Sequence, residues 1–413
     1  MCYRAWSVVL CASCMLILCL SPSLAQERPF DYAAWVDHVD FYRQFDTEKT
    51  EGLAAILDHV QETGATTILW RNVAGSTMRY QTAVESGNHD SALDKRRVED
   101  TRATLGWVRY GEAEPDIIRT VVKICKERSL RPGIHWPFEE THWRIFHIGR
   151  FNLEHPQYWC RTFDGRPWWG RVSIAYEPVI EHKLKLVDEL FDRGIECLMI
   201  DFKRNGGWGA FVEYVPSVVE SYRARYGEAP PIDAADIRWV RHVCGYVTGF
   251  LRRLRAHVKE RNPNVQLIVA VPKVAPINEA SMIEYAADWR TWVEEGLVDA
   301  LMVHSVVWDA KDPLNSTRAL YQEVLDFVNG RCKVYFPVNA YGHLKIEIPA
   351  YQKSLGKTQD EMARELAVMA WQAGADGIGM ECVDFDNYRE PTRKALKALH
   401  ETKLRLAKRR AEE

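Results

Sequence analysis

The sequence predicts a (β/α)8 barrel, on three observations. Short apolar runs recur eight times along the chain, amphipathic stretches with helical spacing separate them, and no Gly-rich phosphate turn follows the first run. Strand then helix, eight times over, is the count of a closed parallel barrel. A doubly wound open sheet is the alternative, and the missing phosphate turn weighs against it.

The expected strands are 35–42, 66–71, 131–136, 196–201, 266–271, 300–307, 333–339 and 376–381. A parallel strand covered on both faces reads as a continuous apolar run, as Cys197-Leu198-Met199-Ile200 does. Between the strands, 48–62 sets Leu53, Ile56, Leu57 and Val60 on one face. The stretch 115–128 does the same with Ile118, Val121, Val122 and Cys125, and 180–193 with Leu184, Val187 and Leu190. A longer helix, 240–261, carries Val247, Phe250, Leu251 and Leu254. Gly64, Gly194 and Asn262-Pro263 supply stop signals. The first strand has the weakest pattern. The segments 73–111 and 139–177 are long and polar, so the loops after strands two and three are expected to build the substrate cleft. No internal repeat or interdomain linker interrupts this pattern, which gives one barrel domain over 26–400 and a charged tail over 401–413.

The N-terminus reads as a signal peptide, residues 1–25. Arg4 precedes an apolar core over 8–20, Pro22 breaks it, and Ser23-Leu24-Ala25 offers the small residues a signal peptidase needs. An uncleaved anchor is the alternative. A lipoprotein signal fits less well, because neither Cys14 nor Cys19 follows a Leu-x-(Gly/Ala) pattern. The expectation is therefore a secreted or periplasmic protein with no stable membrane insertion after cleavage. Six cysteines remain beyond Ala25, at long irregular spacings that suggest no zinc site, and one or two disulfides are compatible with that compartment.

A formal charge of −3 in 413 residues provides no basic field for nucleic acid. Fifteen tryptophans can fill a core, and those at strand ends and in the long loops offer flat surfaces on which sugar rings stack.

The chemistry concentrates where strands end. Barrel active sites lie at the C-terminal ends of the strands, and the fourth run ends on Asp201-Phe202-Lys203-Arg204. Asp201 is the first candidate carboxylate, with pairing to Lys203 or Arg204 as the plain structural alternative. Glu381, ending strand eight, is the preferred second carboxylate. Asp309 after strand six is the next choice, then Glu139 and Glu140 after strand three. Arg71 and Asn72 end strand two, His135 and Trp136 strand three, His304 strand six and Asn339 strand seven. These, with Glu139, Arg204, Trp208 and Trp308, are the candidate substrate contacts, and Trp168 and Trp169 are further candidate platforms. A metal-dependent hydrolase would use His38, Asp40 and His304, but the usual His-x-His is absent and strand five ends without a His, at Ala270-Val271-Pro272-Lys273. No metal or cofactor is expected.

The chain resembles the glycosyl-hydrolase-like family 10 barrels, which are secreted bacterial proteins. Three blocks carry the likeness. Residues 194–204 are similar to the family's Gly-(Ile/Val)-Asp-Gly-x-x-x-Asp-(Tyr/Phe)-x-Arg strand four. Trp239-Val240-Arg241 through Val271-Pro272, with Asn262-Pro263 before strand five, form the second block. The third runs from Asp288-Trp289-Arg290-Thr291-Trp292 to Gly296 and Asp299 before strand six. The resemblance implies hydrolysis of glycosidic bonds in a polysaccharide or cell-wall glycan, and it carries the family's strand-four Asp and Arg onto Asp201 and Arg204. The chain departs at strand six, where the family's Pro-Gln-x-Tyr-Trp stands as Val303-His304-Ser305-Val306-Val307-Trp308. It departs again at strand four, where Phe202-Lys203-Arg204-Asn205-Gly206 replaces Tyr-x-Arg-(Tyr/Phe)-Pro. Both changes bear on the pocket. A non-catalytic glycan-binding barrel is the alternative, since a fold does not fix a function.

Overall fold

The computed structural model describes residues 30–36, 49–74, 76–78, 80–85, 116–138, 148–202, 209–273, 278–305, 313–338, 356, 359–380 and 397. Eight parallel strands close into a barrel, each pairing with its sequence neighbours and the last with the first. They are β1 (Asp31–Val36), β2 (Thr67–Arg71), β3 (Arg131–Pro137), β4 (Cys197–Asp201), β5 (Gln266–Lys273), β6 (Ala300–Ser305), β7 (Lys333–Pro337) and β8 (Gly377–Met380). Structure and sequence differ most at β1, which begins at Asp31 rather than at residue 35. The apolar stretch that pairs is Tyr32-Ala33-Ala34-Trp35-Val36, set by register against Thr67–Trp70 of β2 and Gly377–Met380 of β8. Its small alanines hide the apolar pattern.

The helices follow from capping and patterning. Asp116 accepts from Arg119 N and opens the helix Ile117–Glu127, which buries Ile118, Val121, Val122 and Cys125. Asp236 accepts from Arg238 N and Trp239 N to start the helix Ile237–Arg261, and such a cap is worth about 1 kcal/mol. Val240, Val243, Val247, Leu251, Leu254 and Val258 form that helix's buried stripe. Asn262 ends it before Pro263, as the sequence indicates.

Alternation along the strands divides the core in two. Even-numbered residues of β3 and β4, such as Ile134, Trp136, Leu198 and Ile200, face the helices. Ala33, Trp35, Leu69, Cys197, Met199, Ile268, Ala270 and Met302 fill the barrel interior. Two glycines make this filling possible. A Cβ on Gly133 would lie 2.1 Å from Cys197 Sγ, and one on Gly377 would lie 2.7 Å from the Tyr335 ring. At the N-terminal end a polar plug closes the interior. Asp31 pairs with Arg131 (3.2 Å), accepts from Tyr335 Oη (3.0 Å) and is bonded by Thr66 and Thr67. Burial, then the charge and hydrogen bond of Asp31, push the Tyr335 phenol well above its ordinary range.

The loops after β2 and β3 carry structure of their own. Val73–Ala74 pairs with Thr77–Met78, and Trp159–Arg161 pairs with Pro167–Val172, each as an antiparallel hairpin. The two loops are tied together. Gly149 N donates to Ser76 Oγ (2.7 Å), and the buried Glu85 accepts from Phe151 N and meets His182 Nε2 at 3.1 Å. Among the described residues no cysteine pair is bridged, and no helix is long and apolar enough to cross a membrane. Residues 1–25 and 401–413 lie outside the described residues.

Candidate active site

Asp201 ends β4 at the C-terminal mouth, completely buried. Its inward position follows from parity: Cys197 and Met199 fill the interior, so the next odd residue does too. On β3 the same rule turns His135 inward. The register sets His135 beside Met199 and Pro137 beside Asp201, which places the imidazole diagonally below the carboxylate. His135 Nε2 lies 2.9 Å from Asp201 Oδ2. His135 is 3% exposed, and the Trp35 ring leans over it with centroids 4.9 Å apart. An ionised carboxylate only accepts hydrogen bonds, so the hydrogen sits on Nε2 whenever Asp201 is charged.

Two neighbours extend this pair. Asn72 N donates to the His135 carbonyl (3.3 Å), and the Asn72 side chain is fully buried with neither amide atom partnered among the described residues. A buried polar group left so costs about 1–3 kcal/mol. Tyr285 ends the helix Asn278–Tyr285 after β5. Burial pushes its phenol up to about 12, with further contributions from the charge and hydrogen bond of Glu284 and from the charge of Asp201. The charge of Asp201 thus reaches the Tyr285 phenol. Tyr285 was not among the candidates from the sequence, where its only signal is its place in the segment that follows a barrel strand.

The other candidates separate into four groups. Arg71 lies at the end of β2 with its Nε donating to Val73 O (3.0 Å). Trp136 is not at the mouth: it is 4% exposed in the outer core, packed with Ile134, Phe138 and Ile200 between strand and helices. A strand end does not make a residue a sugar platform when its parity turns it outward. Glu381, Asp309, Glu139, Arg204, Trp208, Trp308 and Asn339 lie outside the described residues, and so does the side chain of His304, which stands on β6. Trp168 and Trp169 lie on the hairpin after β3, where Trp169 is exposed. Among the described residues no group of three His, Cys, Asp or Glu side chains is disposed to hold a metal ion.

A closed barrel of eight parallel strands with helices between them, bearing a buried carboxylate at its C-terminal mouth, defines a (β/α)8 barrel. Residues 210–342 match the family described as Glycosyl hydrolase-like 10, so the resemblance read from the motifs holds there. The blocks around Trp239 and Asp288 lie inside that stretch, whereas the Asp201 block precedes it. No curated protein matches the chain.

Solved structures share the architecture. The chain is similar to the catalytic domain of β-amylase from Paenibacillus polymyxa, with 10% identity over 90% of this chain and 98% of that one (TM-score 0.53). It is similar also to β-galactosidase from Marinomonas ef1, with 10% identity over 92% of this chain (TM-score 0.56). The β-galactosidase from Rahnella sp. R3 gives 11% identity over 92% (TM-score 0.56). This chain spans 60% and 56% of those two galactosidases. Identities this low speak for the fold alone.

Proposed function

We propose that this protein is an exported glycoside hydrolase acting on a polysaccharide or cell-wall glycan, with Asp201 as one carboxylate of its catalytic pair. The observation that carries this reading is the His135–Asp201 hydrogen bond at the C-terminal end of the barrel. A carboxylate fixed there by an oriented donor suits a nucleophile or base better than an acid. Glu381 is the preferred acid, with Asp309 as alternate. A separation of about 5–5.5 Å between the pair would mean retention at the anomeric carbon, and about 6.5–9.5 Å inversion. Arg204 would help keep Asp201 ionised. Arg71, Glu139, Trp208, His304, Trp308 and Asn339 remain the proposed substrate contacts. Export rests on the order of Arg4, the apolar core and Ser23-Leu24-Ala25. An intact mass of the exported chain beginning at Gln26 supports it, and one that includes residues 1–25 refutes it.

The complete burial of Asp201 favours a second reading, a barrel that binds glycan without cleaving it. Hydrolysis of a glycan panel by wild type and by Asp201→Asn separates the two. The hydrolase reading requires turnover that Asp201→Asn abolishes while glycan binding persists. Full turnover in Asp201→Asn makes the strand-four Asp structural, and no turnover by wild type on any glycan leaves the binding barrel.

A further inference from the structure

The hairpin after β3 leaves aromatic surface in water. Trp169 is 55% exposed, Phe163 at its turn 46%, and Phe211 on the adjoining 3-10 turn 42%. Single exposed apolar residues are ordinary, but here two large rings stand on one hairpin arm and a third on the turn joined to it.

The rings are held, not loose. Trp159 meets Trp169 edge-on at 4.7 Å, and its own indole N–H donates to Asn152 O (2.6 Å). Tyr214 meets Phe163 edge-on at 5.3 Å and stacks on the buried Trp239, whose indole N–H donates to Ala210 O (3.0 Å). Trp169 and Phe163 are thus each braced by a ring that a bond to backbone holds, Trp159 through Asn152 O and Tyr214 through Pro231 O (2.9 Å).

The arm is fixed to the rim between β3 and β4. Tyr214 N donates to Arg161 O (3.0 Å), and Ser173 Oγ donates to Glu213 Oε2 (2.6 Å), joining the hairpin to the segment that follows Asp201. A pocket at its root is lined by Phe138, Arg171, Gly209, Glu213 and Ala286. Phe138 N donates to Asp201 O (3.0 Å), so that pocket adjoins the strand end bearing the candidate carboxylate.

The chemistry of the arm selects among occupants. Beside the rings stand Thr162 and the exposed Asp164–Arg166 pair (2.6 Å), polar groups of both signs. Flat rings with hydrogen-bonding groups at their edges match a pyranose, which has C–H faces and a girdle of hydroxyls. An anionic lipid surface would call for a cluster of cations instead. Three partly exposed rings, each about 150–250 Å² in full, fall well short of the ~1,200–2,000 Å² that a stable protein interface buries.

We infer that this arm is a glycan platform outside the barrel mouth, and that the substrate is an extended chain of several sugars rather than a mono- or disaccharide. This rests on the carbohydrate reading above, but its test is separable. Full-length wild type, Trp169→Ala, Phe163→Ala and Asp201→Asn are run through native gels containing soluble xylan, mixed-linkage β-glucan, dextran or chitosan. At least one polymer should retard wild type and Asp201→Asn. The affinity should fall about threefold to tenfold in Trp169→Ala, with its melting temperature unchanged. On a cleaved substrate, Trp169→Ala should raise KM for the polymer and leave short oligosaccharides unaffected. Retardation through Trp169 without hydrolysis of any glycan upholds the arm and sinks the hydrolase reading. Hydrolysis that Trp169→Ala leaves unchanged on long and short substrates overturns the arm. So does the absence of retardation by every polymer. Loss in Trp169→Ala of dimerisation, or of binding to mixed phosphatidylcholine and phosphatidylglycerol vesicles, with glycan retardation intact, overturns it as well.

Discussion

His135 Nε2 lies 2.9 Å from Asp201 Oδ2, and both side chains are buried. The register of β3 against β4 sets that distance, because it brings two inward positions on neighbouring strands into diagonal contact. The imidazole orients the carboxylate and supplies one of its hydrogen bonds. His135→Gln keeps a donor of similar reach and should keep the fold. His135→Ala leaves the carboxylate short of a partner and should cost about 1–3 kcal/mol of stability. If Asp201 is catalytic, Asp201→Asn should lower kcat by about 10²–10⁴-fold. Wild-type melting temperature in His135→Ala would show that the contact carries no structural load.

Trp136 and Trp169 make a pair of opposite predictions. Trp136→Ala empties a space in the outer core and should cost about 3–5 kcal/mol. Trp169→Ala removes a ring that is 55% exposed and should leave the denaturation midpoint within experimental error of wild type. Equal stability of the two variants in urea titrations would contradict the assignment of Trp136 to the core.

Asp299 joins three elements. It accepts from Leu267 N (2.7 Å), Lys259 Nζ (2.8 Å) and Arg255 (2.5 Å), linking the helix Ile237–Arg261 to the start of β5. Burial works to raise its pKa, but the hydrogen bonds from Lys259, Leu267 N and Arg255 prevail and hold it below the ordinary value. A carboxyl whose folded pKa is depressed contributes stability above its unfolded pKa and loses it as pH falls through the folded one. Asp299→Asn should therefore be destabilised relative to wild type by about 1–3 kcal/mol at neutral pH. That gap should narrow as the pH drops below about 4. A gap that stays constant from pH 7 to pH 3 would falsify the ionic account.

Gly133 stands where the barrel interior has no room. A Cβ there would lie 2.1 Å from Cys197 Sγ and 3.0 Å from the Ile68 carbonyl oxygen. Gly133→Ala should destabilise the protein by about 1–3 kcal/mol through overpacking. Cys197→Ala in the same chain should restore part of the loss, since it removes the nearest atom and leaves the backbone contact. Chemical denaturation of the single and double variants measures both effects. Equal losses would mean that the Ile68 carbonyl, not the thiol, sets the limit.

Much of the barrel was written in local patterns. Continuous apolar runs at 196–201 and 266–271, and helical stripes such as Val247, Leu251 and Leu254, specify strand and helix because burial on both faces or on one face demands those periods. The position of Asp201 at the end of such a run was equally legible. Asp31–Val36 was not, because two alanines and an aspartate mask a strand whose place is set by its neighbours. Nor was the partner of Asp201. The sequence pointed to cations two or three residues away, whereas the contact comes from His135, 66 positions distant. Trp136 shows the same division. Its place in a strand is a local property, but the side of the barrel wall it faces depends on how closure orients β3. The sequence alone determined which segments become strands and where charge interrupts them, because these depend on each residue's own transfer from water. Tertiary structure alone decided which side chains meet, because strand register and barrel closure are properties of the whole sheet.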